Sequence, residues 1–221
     1  MRVFTFLRFM RQILKSSPAD LDWIQSQGLL AVKLAQIFAL RSDLISVEKC
    51  RQLQQLYQHA SSIPSEDVFR NIEQRAPEGF IDAFEHIDDV PLAAASVGQV
   101  HRARLKDGQE VVIKVIKAQN EKTFRRDVNR MRRWLRVFLI FMPKLRKVGN
   151  PVALLNHVAD YTTRELDLRN EIKGAEELLR IKEEVSGNFQ MDLLRFPKYY
   201  GELSNKDILV SEFVRGDSLE D

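Results

Sequence analysis

Cysteine is almost missing: Cys50 stands alone in 221 residues, which excludes an internal disulfide framework and a four-cysteine zinc site. Histidine is scarce too. His59, His86, His101 and His157 are the only four, and no two stand at the helical or loop spacing of a metal pair, so no histidine metal centre is expected. No run approaches the ~20 apolar residues of a membrane-spanning helix. These absences point to a cytoplasmic or peripheral-membrane chain with no transmembrane segment. A shortage of core-forming residues is not among them. With 44% hydrophobic and 29% charged residues, neither a disordered nor a membrane-embedded chain fits, and the length supports one or two compact domains.

Acidic residues are missing from two segments. Residues 122–147 carry ten lysines and arginines against one acid, Asp127, and the first fifteen residues carry Arg2, Arg8, Arg11 and Lys15 with none. The two segments together hold +13 of a chain whose net charge is +3, which leaves −10 elsewhere. Such segregation suits either a solvated helix face or an anionic partner surface. A lipid surface is the partner expected; nucleic acid is not, because the basic segment carries no recognised reader motif.

Residues 2–15 interleave Phe4, Phe6, Leu7, Phe9, Met10, Ile13 and Leu14 with basic side chains, the pattern of a short amphipathic helix that lies on a membrane or on the protein body. Residues 1–18 are read as that segment and 19–86 as a helical extension, with helices over 21–41, 46–59 and 65–76. From residue 87 the texture changes. Val97–Leu105 alternates, Lys106-Asp107-Gly108-Gln109 turns, and Glu110–Val115 is a β-branched run, so a hairpin is predicted. Helical stretches over 120–147 and 151–184 follow, then a second hairpin over 198–214. The order gives an α+β chain.

Three features point to chemistry. The loop Ala93, Ala94, Ala95, Ser96, Val97 opens the first hairpin, and small side chains let a backbone approach a bulky ligand; an alanine-rich helix start is the plainer reading. Lys114, in Val111-Val112-Ile113-Lys114, holds the strand position where protein kinases place the lysine that meets nucleotide phosphates. Glu165, Asp167 and Glu171 cluster on the long helix, where clustered acids ordinarily form a solvated face. On a continuous helix Asp167 and Glu171 share a face and Glu165 points elsewhere. A lysine withdrawn from water needs a carboxylate, and Glu171 is the candidate.

Taken together, these residues resemble one family. Lys33-Leu34-Ala35-Gln36 and Arg41-Ser42-Asp43-Leu44 resemble its Lys-x-Gly-Gln signature with its Arg-Pro-Asp-Leu continuation. Pro91–Ala103 resembles its alanine-rich nucleotide loop, Glu165-Leu166-Asp167 its Glu-x-Asp motif, and Leu209–Gly216 its hinge strand. On these motifs the chain resembles the UbiB-type (ADCK-like) atypical kinase family, associated with coenzyme Q biosynthesis and the membrane.

The resemblance implies a protein-kinase-like N-lobe over 87–221, an antiparallel sheet with long helices, preceded by the family's helical extension. It implies ATP with Mg2+ as cofactor, covered by Ala93–Val97, with Lys114 on phosphate, Glu171 as its partner, and the Glu212 and Val214 backbone on adenine. Lys33 and Gln36 would reach the pocket from one helix face, with Lys33 meeting Glu165. Ala35 and Ser42 stand where the family has glycine and proline, and Gly174 where it often has asparagine. No catalytic-loop motif or Asp-Phe-Gly follows the hinge-like strand before Asp221. The C-lobe is therefore expected to be absent and this chain to hold no catalytic residue and no magnesium ligand, unless a separate chain supplies them. A noncatalytic membrane-surface or lipid-binding module is the alternative.

Overall fold

A computed structural model of the chain describes residues 3–58, 62–117, 120–141, 150–185 and 195–216. In chain order the helices are α1 (Val3–Leu14), α2 (Leu21–Ser26), α3 (Leu29–Ala39), α4 (Val47–Gln58), α5 (Ser65–Arg75), α6 (Asn120–Phe141), α7 (Pro151–Glu165) and α8 (Arg169–Val185). The strands are β1 (Phe84–Ile87), β2 (Ala93–Ala94), β3 (Gly98–Leu105), β4 (Glu110–Ile116) and β5 (Ile208–Glu212). The chain divides into two compact units. One holds Met1–Ser62, Ala94–Val97 and Ala118–Arg164; the other holds Ile63–Ala93, Gly98–Lys117 and Glu165–Asp221.

The first unit is helical. α3 is its centre: Leu30, Ala31, Leu34 and Ala35 are buried on it, against Leu53 and Leu56 of α4. Phe9, Ile13, Ile24, Phe124 and Leu155 are also fully withdrawn from water, each such side chain contributing roughly 1.5–3 kcal/mol. Lys49 is 4% exposed, and its ammonium donates to the carbonyls of Gln12 and Ser17, tying α4 to the end of α1. Burial lowers its pKa. The single helix expected over 21–41 is broken in two at Gly28. That residue takes φ +91, open to glycine at little cost, and its carbonyl starts α3 by accepting the Ala31 and Val32 amides.

The second unit is built on a sheet of order β1-β3-β4-β5, antiparallel throughout. Register decides which side chains share a face. Gln99, His101, Ala103 and Leu105 of β3 alternate with Val100, Arg102 and Arg104, and Val111, Ile113 and Val115 of β4 lie on the first set's side. That side is the core, filled by Val68 and Ile72 of α5 with Phe80, Phe84, Tyr200, Ile208 and Val210. Lys106-Asp107-Gly108 turns the β3–β4 hairpin, with Gly108 at φ +87.

Two further expectations change here. The helix predicted over 151–184 is two helices. Asp167 interrupts it, because its carboxylate accepts the Arg169 amide at 3.2 Å and its carbonyl the Asn170 amide at 3.0 Å, starting α8 afresh. In place of the strand expected over 198–203, a single bridge joins Tyr199 to Ser211, and Gly201–Leu203 form a 3-10 turn. The Ser204 hydroxyl, bonded to the Tyr200 carbonyl at 2.6 Å and accepting the Val210 amide at 3.0 Å, closes that turn instead. Of the stretch expected over 120–147, residues 142–147 lie outside those described.

Candidate functional site

The sheet face opposite the core carries Val100, Arg102, Val112, Lys114, Leu209 and Ser211. Val100 faces Lys114 across β3–β4, and Leu209 and Ser211 face Lys114 and Val112 across β4–β5. Lys114 is partly buried, and its ammonium forms an ion pair with the carboxylate of Glu171 in the first turn of α8. The Glu171 amide donates to the Leu168 carbonyl at 3.1 Å, so the capping turn begun by Asp167 sets where that carboxylate stands. An acidic side chain also suits a helix N-terminus, where the backbone dipole is positive.

Asp167 does not share a helical face with Glu171, because it lies in the break before α8. Its carboxylate grips Arg169 through two bonds of 2.8 and 2.6 Å, and that guanidinium holds the carboxyl below its ordinary pKa. Glu165 is the last residue of α7.

Gly98 opens β3 beside the alanine loop, and the close approach of β4 requires it. A Cβ there would stand 2.6 Å from the carbonyl oxygen of Val115. Of the loop, Ala93 and Ala95 are exposed, Ala94 and Ser96 half-buried and Val97 buried. Ala93 belongs to the sheet unit and Ala94–Val97 to the helical one.

β5 runs into the segment 213–216. Glu212 donates its amide to the Lys198 carbonyl at 2.8 Å, while its carboxylate accepts the Lys198 amide at 3.2 Å and pairs with Arg195. The Phe213 amide bonds the Glu110 carbonyl at 3.1 Å. The exposed Val214 has no hydrogen-bond partner for its amide among the described residues.

In the helical unit Lys33 and Gln36 lie on α3. The Lys33 ammonium is 5.8 Å from the Tyr161 ring. Gln36 is buried; its side-chain amide donates to the Leu56 carbonyl at 3.0 Å, and its backbone carbonyl accepts the Tyr57 hydroxyl at 2.9 Å. Ala35 beside it is wholly buried.

Sequence reasoning missed a buried polar chain behind the loop. Gln99 accepts the Ile63 amide at 2.9 Å and donates to His101 Nε2 at 2.9 Å, and His101 Nδ1 donates to the Asp88 carbonyl at 2.7 Å. A polar pair at positions 99 and 101, inside an otherwise apolar alternation, was the available signal. A His-x-Asp sequence also occurs well before the hinge-like strand. His86 and Asp88 contact each other at 3.0 Å, on the rim of a concavity of about 440 Å³ that Arg102 and Glu110 also line.

Comparisons with known proteins point to one family. Residues 55–221 match the model of the ABC1 atypical kinase-like domain. The chain is similar to AarF domain-containing protein kinase 1 of Xenopus laevis, 31% identical over 190 residues that cover 86% of this chain and 35% of that protein. It is similar to the probable protein kinase UbiB of Vibrio parahaemolyticus, 31% identical over 200 residues that cover 90% and 35%. It therefore spans about a third of the length of these curated relatives. In fold it resembles a chain of the Rv3197–erythromycin complex from Mycobacterium tuberculosis, with TM-score 0.53 at 19% identity over 98% of this chain and 44% of that one. A family match across residues 55–221, on an antiparallel sheet flanked by helices, makes this chain a member of the ABC1 atypical kinase-like family.

Proposed function

We propose that this chain is the nucleotide-binding part of a UbiB-type atypical kinase or ATPase, and that it binds ATP without turning it over by itself. One observation carries the reading: Lys114 is held by Glu171 on the sheet face opposite the core, on the strand that pairs with the hinge-like β5. The chemistry of that face suits a nucleotide. Val100 and Val112, both half-buried, give it apolar surface, Lys114 a cation, and Val214 an amide donor at the position the resemblance assigns to adenine. Lys114 would hold phosphate oxygens, and the Glu171 carboxylate would fix its ammonium. Among the described residues no group of three or more His, Cys, Asp or Glu could hold a metal ion. By resemblance, the magnesium ligands and the catalytic aspartate belong to sequence after the hinge. The process served would be coenzyme Q biosynthesis.

Titration with Mg-ATP tests this. Saturable binding is expected. Lys114→Met should weaken it tenfold or more, on the order of one lost charge-assisted bond. Equal affinity of wild type and K114M would overturn the reading.

A membrane-surface role is a second reading, resting on a different observation. No helix among the described residues is long and apolar enough to cross a membrane. In the helical unit, however, Val3, Arg130, Arg133, Trp134 and Val137 line a concavity of about 450 Å³ with no acid on it. Trp134, Val137 and Ile140 are exposed on α6, as are Phe4 and Leu7 on α1. Apolar rings flanked by guanidinium groups suit an anionic lipid surface. The chain should sediment with phosphatidylglycerol vesicles at low salt and not with phosphatidylcholine vesicles, and R130E/R133E/W134A should abolish most of that binding. No sedimentation at low salt removes the idea.

A further inference from the structure

The segment that follows β5 is tied down at one residue. Glu110 opens β4, and its carbonyl accepts the Phe213 amide at 3.1 Å. Its carboxylate pairs with Arg102 of β3 and, at 3.0 Å, with Arg215. Arg102 in turn lays its guanidinium 4.7 Å from the centre of the Phe213 ring. Backbone and side chain of one glutamate thus hold Phe213 and Arg215, the residues on either side of Val214, and a cation–π contact presses the ring onto the same arginine. The two guanidinium groups hold the Glu110 carboxyl below its ordinary pKa, Arg215 contributing most, so the knot is formed at neutral pH.

We infer that Glu110 is a positioning residue for the nucleotide's base: through Arg102 and Arg215 it fixes the Phe213–Arg215 backbone, and hence the direction of the Val214 amide. This rests on the nucleotide reading above. Glu110 touches no phosphate in that reading, and Lys114 lies four residues further along β4 on the same face. Loss of the knot should therefore cost base recognition and leave triphosphate recognition alone. A single misdirected neutral hydrogen bond corresponds to a change of about fivefold.

The test compares wild type with Glu110→Gln, which keeps the backbone carbonyl and the shape and removes the charge. ATP and inorganic tripolyphosphate are titrated against each, and amide hydrogen exchange is followed over 213–216. Glu177→Gln, which removes an exposed ion pair with Arg180 on α8, is the control. E110Q should weaken ATP about fivefold, leave tripolyphosphate within twofold, and speed exchange at 213–216, while E177Q changes none of these. If wild type binds ATP and E110Q binds it equally well, the inference fails and the nucleotide reading stands. Equal losses for ATP and tripolyphosphate would mean general damage and also overturn it. A wild-type chain that binds neither ligand would sink the nucleotide reading, and this inference with it.

Discussion

Gly98→Ala is expected to destabilise the sheet unit by about 3 kcal/mol, lowering its melting temperature by on the order of 10 °C. The added methyl would stand 2.6 Å from the Val115 carbonyl oxygen and 3.3 Å from its carbon, both backbone atoms of β4. A side chain in that place could rotate away. The backbone of β4 cannot, because the strand is bonded to β3 on one side and β5 on the other, and Gly98 itself stands opposite Ile116 in register. Relief would require β3 to peel from β4 at the end where it meets the alanine loop. Gly174→Ala supplies the contrast: it lies inside α8, its Cβ would meet nothing within 4 Å, and alanine favours helix by about 0.5–1 kcal/mol. Thermal denaturation of both variants should move in opposite directions. A Gly98→Ala protein as stable as wild type would show that β3 and β4 are not held at this separation.

That asymmetry between two glycines also shows what the sequence could disclose. The β3–β4 hairpin was legible from alternation and from Asp107-Gly108, because turn and strand preferences act within a few residues. The need for glycine at 98 was not, since it arises from a carbonyl seventeen positions away on a strand whose register only the fold fixes. The same holds for helix breaks. Apolar periodicity runs on through residues 21–41 and 151–184, so Gly28 and Asp167 read as interior positions until their capping bonds are seen. Lys114 and Glu171 are 57 residues apart, and only the counter-charge requirement of a partly buried ammonium links them along the chain. The role of Gln36 was legible only by resemblance, which puts it beside Lys33 facing the pocket; in the fold its side-chain amide joins α3 to α4 through the Leu56 carbonyl.

His101→Leu is expected to lose about 1–3 kcal/mol, the cost of removing both bonds made by a buried imidazole. His101 is wholly buried on the core face of β3. The direction of each bond follows from its neighbours. The Ile63 amide donates to Gln99 Oε1, so the Gln99 amide nitrogen faces His101 Nε2, which must accept; Nδ1 then carries the proton and donates to the Asp88 carbonyl. Leucine fills the space but takes the imidazole acceptor from the buried Gln99 amide, leaving it a 3.4 Å bond to the Ile63 carbonyl, and takes the donor from the half-buried Asp88 carbonyl. Gln99→Leu alone should also destabilise, by stranding the Ile63 amide and the Nε2 of His101. If Gln99 and His101 act as one network, the double variant should lose clearly less than the two single losses added together, because the second substitution removes a partner the first had already orphaned. Urea denaturation of the four proteins measures this coupling. Simple additivity would mean that residues 99 and 101 stabilise the sheet independently, and that Asp88 and Ile63 are not held to it through a shared chain of bonds.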